Sequence, residues 1–351
     1  MPPLANVQSA ALAALDEVRV STREPARGSY PSIVSVSTTS PERLAKVFTD
    51  DHLIPDASAA DTVLYLAYGS NMCAKTFLGV RGIRPLSQVN VTAPSVRLTF
   101  DLAGVPYVEP CFANIGFRDA PYKTKETEAE LIHQDMEWNG GLIGVVYEVT
   151  QEDYRTILST EGAGYSYKEI VVPCYPIAPK NTVPNEPTPF LARTLYAANK
   201  LNEYDERKWW QRVFDGRQRP DPNYAQASLR YLNLLRDGGR EHNLPTSYQQ
   251  YLASLHPYIA TRWTQKVGRY FFMALWSPLL IFFLMARFLS DERGQLPPWL
   301  ASCVSLMFNM MWMSYDAAFK PIFGDGERTE EDERNKLLRD AQSMDNGRWS
   351  V

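Results

Sequence analysis

Leu64-Tyr65-Leu66-Ala67-Tyr68-Gly69-Ser70-Asn71-Met72 is the stretch from which this chain is best read. Val63 to Tyr68 is rich in β-forming residues and ends at Gly69-Ser70-Asn71, which predicts a strand running into a turn. A glycine directly after a strand lets the backbone bend sharply. Consecutive N–H groups then converge into a nest that binds an anion, with the Ser70 and Asn71 side chains adding donors. Alone, Gly-Ser-Asn is ordinary turn chemistry.

Further strands are predicted outward from this point. Val89 to Asp101 alternates Val91, Ala93, Ser95, Arg97 and Thr99 against Thr92, Val96, Leu98 and Phe100, as a half-buried strand does. Cys111 to Phe117, the apolar Leu142 to Val149, Lys168 to Pro173 and Phe190 to Ala197 follow. Thr150-Gln151-Glu152-Asp153 resembles a capping box opening a short helix, with Tyr154, Ile157 and Leu158 on one face. Short strands with few helices predict an α+β domain on a small mixed β-barrel over 59–200. Residues 1–58, rich in Ser, Thr, Pro and charge, read as a flexible leader with one short helix near Ala10 to Val18. The charged run from Ala120 to Asn139 reads as a surface insertion or lid. Residues 201–265 read as a helical extension with two apolar stripes, separated by Gly238-Gly239 and Leu244-Pro245.

The texture changes over 266–320. Tyr270 to Leu289 carries one charge, Arg287, and Leu296 to Tyr315 carries none. Each is near the length that crosses a bilayer, which predicts a hydrophobic helical hairpin contacting a membrane through 270–315. Arg262, Lys266 and Arg269 before it and Lys320 after it predict a membrane-associated protein whose catalytic domain faces the cytoplasm. A buried helix pair and a shallow hairpin lying in the interface remain alternatives. The polar tail, 321–351, reads as a solvated acidic end.

Composition narrows the chemistry. The 351 residues carry a net charge of −4, which gives no reason to expect nucleic acid. Cys73, Cys111, Cys174 and Cys303 form no CxxC pair, and the four histidines have no ligand spacing, so no metal site is expected.

A second focus is Glu161-Gly162-Ala163-Gly164-Tyr165-Ser166-Tyr167-Lys168. A carboxylate just past a helix, followed by glycines, sits on a bend and is a plausible base. Tyr165 and Tyr167 would shield it from water and supply phenol donors.

Together, Tyr68-Gly69-Ser70-Asn71-Met72 and Glu161-Gly162 with Tyr165 and Tyr167-Lys168 resemble the γ-glutamylcyclotransferase superfamily, AIG2-like and ChaC-like relatives included. Lys168 stands where relatives often carry Arg, and Phe112-Ala113-Asn114-Ile115 is similar to the segment before the family's central strand. The trailing helices and apolar hairpin resemble fungal members, some of them linked to toxin pathways that use glutathione conjugates. The resemblance implies release of 5-oxoproline from a γ-glutamyl small molecule without any cofactor. It places Glu161 as acid/base, and Tyr68, Gly69, Ser70, Asn71, Met72, Tyr165 and Tyr167 around the substrate. Intramolecular attack by the α-amine needs substrate folding and proton handling rather than an enzyme nucleophile. The rival readings are a serine hydrolase built on Ser70, a non-catalytic AIG2-like binding module tethered to a membrane, and a membrane adaptor.

Overall fold

The computed structural model describes residues 30–45, 62–118, 138, 140–160, 167–177, 188–197, 224–286 and 297–330. Seven strands run in chain order: β1 (Thr62–Ala67), β2 (Ser87–Ala93), β3 (Val96–Val105), β4 (Glu109–Phe117), β5 (Leu142–Thr150), β6 (Tyr167–Pro176) and β7 (Phe190–Ala197). Five of them close a barrel in the order β1-β5-β2-β6-β7, while β3 and β4 form a separate hairpin. The protein is therefore a mixed α+β fold on a small barrel.

The helices are α1 (Pro41–Ala45), α2 (Gln151–Thr160), α3 (Leu229–Glu241), α4 (Thr246–Ser254), α5 (Trp263–Ala286), α6 (Pro298–Ser314) and α7 (Lys320–Phe323). Helix α2 starts where the sequence put it, with the Asp153 amide donating to Thr150 Oγ1 at 3.1 Å. It packs over β1 and β5, whose apolar residues are buried on both faces, and for that reason these strands read as nearly unbroken apolar runs.

The barrel's seam lies between β1 and β7, which pair in parallel at Tyr65 opposite Arg193. Side chains fasten it: Thr194 Oγ1 donates to the Leu66 carbonyl at 2.9 Å and Tyr68 Oη to the Leu195 carbonyl at 2.8 Å.

Several expectations are corrected. Val89 to Asp101 is two strands, broken by a turn at Pro94-Ser95, because proline brings no N–H to continue the ladder. Part of the predicted flexible leader is attached to the barrel. Arg43 donates to Glu148 Oε1 at 2.6 Å and to Thr62, Thr39 Oγ1 meets Ser87 Oγ at 2.8 Å, and Ile33 is buried. The predicted helix at Ala10 to Val18 and almost all of the charged run at Ala120 to Asn139 lie outside the described residues. Gly238-Gly239 does not separate helices but sits inside α3, for a reason given below.

The C-terminal hairpin is present as α5 and α6, joined at their bases by Trp276 Nε1 donating to Ser314 Oγ at 3.2 Å. Among the described residues no helix is long and apolar enough to cross a membrane. The inner stripe of α5 is already committed to protein: Phe272 packs edge-on against Tyr107, with ring centroids 5.9 Å apart, and against Tyr315 at 6.5 Å.

Nor is the start of the acidic tail solvated. Asp325 is buried and accepts the Glu327 amide at 2.7 Å and Tyr315 Oη at 3.1 Å; its other oxygen lies 2.9 Å from Lys320 Nζ and also accepts Tyr224 Oη. Tyr107, at the tip of the β3–β4 hairpin, donates to the Gly324 carbonyl at 2.8 Å. Charge in this segment is buried because it is paired there, a fact that composition does not reveal.

Candidate active site

The Gly69-to-Met72 bend leaves the end of β1 as a single 3₁₀ turn, Ser70–Met72. Within it the Met72 amide donates to the Gly69 carbonyl at 3.1 Å and the Cys73 amide to the Ser70 carbonyl at 3.0 Å. The anticipated nest is accordingly narrower than expected, because the Met72 amide is used within the turn. Gly69 has φ −107° and ψ −140°, and a β-carbon there would lie 3.2 Å from Tyr231 Oη. Its glycine identity is thus explained by close approach rather than by a left-handed φ.

The predicted side chains are placed unequally. Ser70, Asn71 and Met72 are all buried at the turn, and Asn71 Nδ2 donates to Tyr65 Oη at 2.8 Å. The Tyr68 phenol is tied to β7, which makes it a fastener of the seam. Tyr167 opens β6 opposite Ala197. Glu161 and Tyr165 lie outside the described residues. The chain that flanks 161–166 is anchored on both sides. On one side, α2 lays Tyr154 against Tyr65, centroids 6.2 Å apart, and Arg81 reaches Thr160, the last residue of α2. On the other, Ala197 is held by Asn114, whose Oδ1 accepts its amide at 3.0 Å and whose Nδ2 donates to its carbonyl at 2.9 Å. Asn114 also donates to Asp101 at 2.9 Å, and burial pushes the Asp101 carboxyl above its ordinary range.

Sequence reading missed the residues that press on the turn from behind, all on α3 or its cap. The Tyr231 hydroxyl accepts the Ala113 amide at 3.2 Å. Gly238 lies so near the turn that a β-carbon would be 2.7 Å from Met72 Cβ, 2.8 Å from Met72 C and 2.9 Å from Cys73 N. Glu241 Oε2 accepts the Ala74 amide at 2.7 Å. His242 Nε2 lies 3.0 Å from the Met72 carbonyl and 2.8 Å from Tyr147 Oη. Two adjacent glycines within a helix were the available signal, since such a pair needs a packing reason.

His242 is not placed as a partner for Ser70, so the serine-hydrolase reading gains no base from it. Cys73 is buried and its thiol is pushed up to about 11, chiefly by desolvation, which makes it a poor nucleophile. Among the described residues no group of His, Cys, Asp and Glu is arranged to hold a metal ion.

Burial lowers the His242 pKa from 6.5 to about 4. Its folded pKa is below the unfolded one, so protonation favours the unfolded chain. Stability conferred by the neutral ring is complete above pH 6.5 and falls as pH drops toward 4. The gap amounts to roughly 3 kcal/mol. Thermal melts across that range should show a steeper acid loss for the wild type than for His242→Gln; parallel curves would contradict the assignment.

The fold and the turn define a cyclotransferase-type barrel, and the chain belongs to the γ-glutamyl cyclotransferase family. It is 32% identical over 269 residues to γ-glutamyl cyclotransferase gliK of Aspergillus fumigatus, covering 76% of this chain and 89% of that protein. It is 29% identical over 276 residues to γ-glutamyl cyclotransferase aclK of Aspergillus oryzae, covering 76% of this chain and 90% of the relative. Residues 262–322 match the AclK C-terminal domain. Among solved structures, one titled gamma-glutamyl cyclotransferase superposes with a TM-score of 0.37 at 17% identity, covering 57% of this chain and 92% of that one.

Proposed function

We propose that this protein cyclises a γ-glutamyl amine, peptide or glutathione-type conjugate, releasing 5-oxoproline and the amine. The observation that supports the reading is on the α2 flank of 161–166: α2, which ends at Thr160, packs Tyr154 against Tyr65, and Tyr65 Oη accepts Asn71 Nδ2 of the turn.

The substrate's α-ammonium cannot attack until it loses a proton. Glu161 accepts that proton, and the free amine nitrogen bonds to the γ-carbonyl carbon, giving a tetrahedral oxyanion. The turn amides of Ser70 and Asn71 bind the substrate carboxylate or this oxyanion; one such donor is typically worth about 3 kcal/mol in the transition state. The oxyanion then collapses and the scissile C–N bond breaks as the leaving nitrogen takes that proton back from Glu161, while the ring nitrogen gives its surplus proton to the re-formed carboxylate, which passes it to water and leaves the neutral lactam. Ring closure within one molecule supplies the nucleophile, so Ser70 serves as a donor and not as an attacking group.

The test is incubation of the full chain with γ-glutamyl dipeptides, glutathione and a glutathione S-conjugate, reading 5-oxoproline. Turnover of at least one is expected, and the fastest names the leaving group. Saturable binding of all three without product would instead favour the non-catalytic binding module.

A further inference from the structure

Helix α5 is apolar on two opposite sides. Its inner stripe, Gln265, Gly268, Phe272 and Trp276, is buried. Its outer side exposes Trp263 (74%), Tyr270 (76%), Phe271 and Leu275 to solvent. These lie at i, i+7, i+8 and i+12, a strip roughly 18 Å long on one side of the helix. On α6, Trp299, Met310 and Met313 are exposed as well. A contiguous exposed apolar strip marks a docking surface.

Charge selects what covers it. Lys266 and Arg269 are exposed along one edge of the aromatic strip, Lys266 beside Tyr270, and form no ion pair among the described residues, whereas Arg262 pairs with Glu330 at 2.9 Å. Neither α5 nor α6 contains an Asp or Glu. A two-fold contact between copies would therefore bring cations toward cations with no carboxylate on either helix to answer them. An anionic phospholipid surface fits every element. Indole and phenol rings suit the headgroup level, Phe271 and Leu275 suit the acyl boundary, and the two cations suit the phosphates.

We propose that this face docks along the plane of an anionic phospholipid bilayer, with α5 lying on the surface rather than crossing it. The inner stripe is bound to Tyr107 and Tyr315, so the β3–β4 hairpin lies on the side of α5 away from the lipid. The inference stands independently of the cyclisation chemistry.

The full chain is co-sedimented with phosphatidylcholine vesicles and with vesicles enriched in phosphatidylserine. Preferential partition onto the anionic vesicles is expected, weakening as salt is raised. Lys266→Gln with Arg269→Gln should weaken it about thirtyfold, since each cation near such a surface is worth about fivefold. Tyr270→Ser with Phe271→Ser should abolish binding to both vesicle types, and thermal melts confirm that each variant is folded. Equal partition onto neutral and anionic vesicles, unaffected by loss of the cations, overturns the proposal. So does absence of vesicle binding together with a dimer that the Tyr270→Ser, Phe271→Ser variant dissociates, because the face then belongs to a second copy.

Discussion

Glu161→Gln is expected to cut 5-oxoproline release by roughly three to four orders of magnitude while substrate affinity changes little. Positioned general acid–base groups contribute typically about 10²–10⁴-fold, and a residue that both takes and returns the proton belongs near the top of that range. Glutamine keeps size and hydrogen-bonding reach but cannot accept the ammonium proton, so the loss should fall on kcat and not on KM. Equilibrium binding of a γ-glutamyl substrate to the variant, beside single-turnover kinetics, separates the two. Full turnover by Glu161→Gln would remove this carboxylate from the reaction, whatever the substrate proves to be.

Gly238→Ala is the second large effect, and its direction opposes simple propensity. Alanine is the better helix former by about 1 kcal/mol, so an isolated α3 would gain from the change. Here the new β-carbon would meet Met72 Cβ at 2.7 Å, Met72 C at 2.8 Å and Cys73 N at 2.9 Å. Two of these are backbone atoms, which no rotamer change can move aside. Either α3 retreats, loosening the His242 and Glu241 contacts, or the Ser70–Met72 turn shifts. Displacements of about 1 Å near a reaction centre cost on the order of 10²-fold, and that loss in kcat/KM is the expected result. Gly239→Ala is the matched control: its β-carbon would sit 3.4 Å from Leu252 Cδ1, an ordinary contact, so activity should persist with unchanged or raised stability. Equal behaviour of the two variants would show that α3 does not set the geometry of the turn.

What the sequence disclosed follows from how local each signal is. The end of β1 and its turn were legible because Gly69-Ser70-Asn71 acts on its own backbone, and Thr150 was legible because a cap bonds three residues ahead. Strand alternation continued across Pro94-Ser95, so the pattern alone did not show that one run was two strands. The contribution of α3 was illegible because Tyr231, Gly238, Glu241 and His242 meet the turn only after the chain has wound round the barrel. Asp325 and Glu327 were misread for the same reason. A run of acids looks solvated until Lys320, Tyr224 and Tyr315 are found around it.

The Asp325 knot bears on what counts as a unit of this protein. The segment matching the AclK C-terminal domain stops at residue 322, just short of the carboxylate on which Lys320 and Tyr315 converge. Excised at that border, the hairpin would lose the anchor for its own lysine and tyrosine. The β3–β4 hairpin, in turn, would lose the carbonyl that receives Tyr107. Sequence similarity and mechanical autonomy part company here: the two halves are interlocked pieces of one body, and neither is a cartridge to be moved elsewhere.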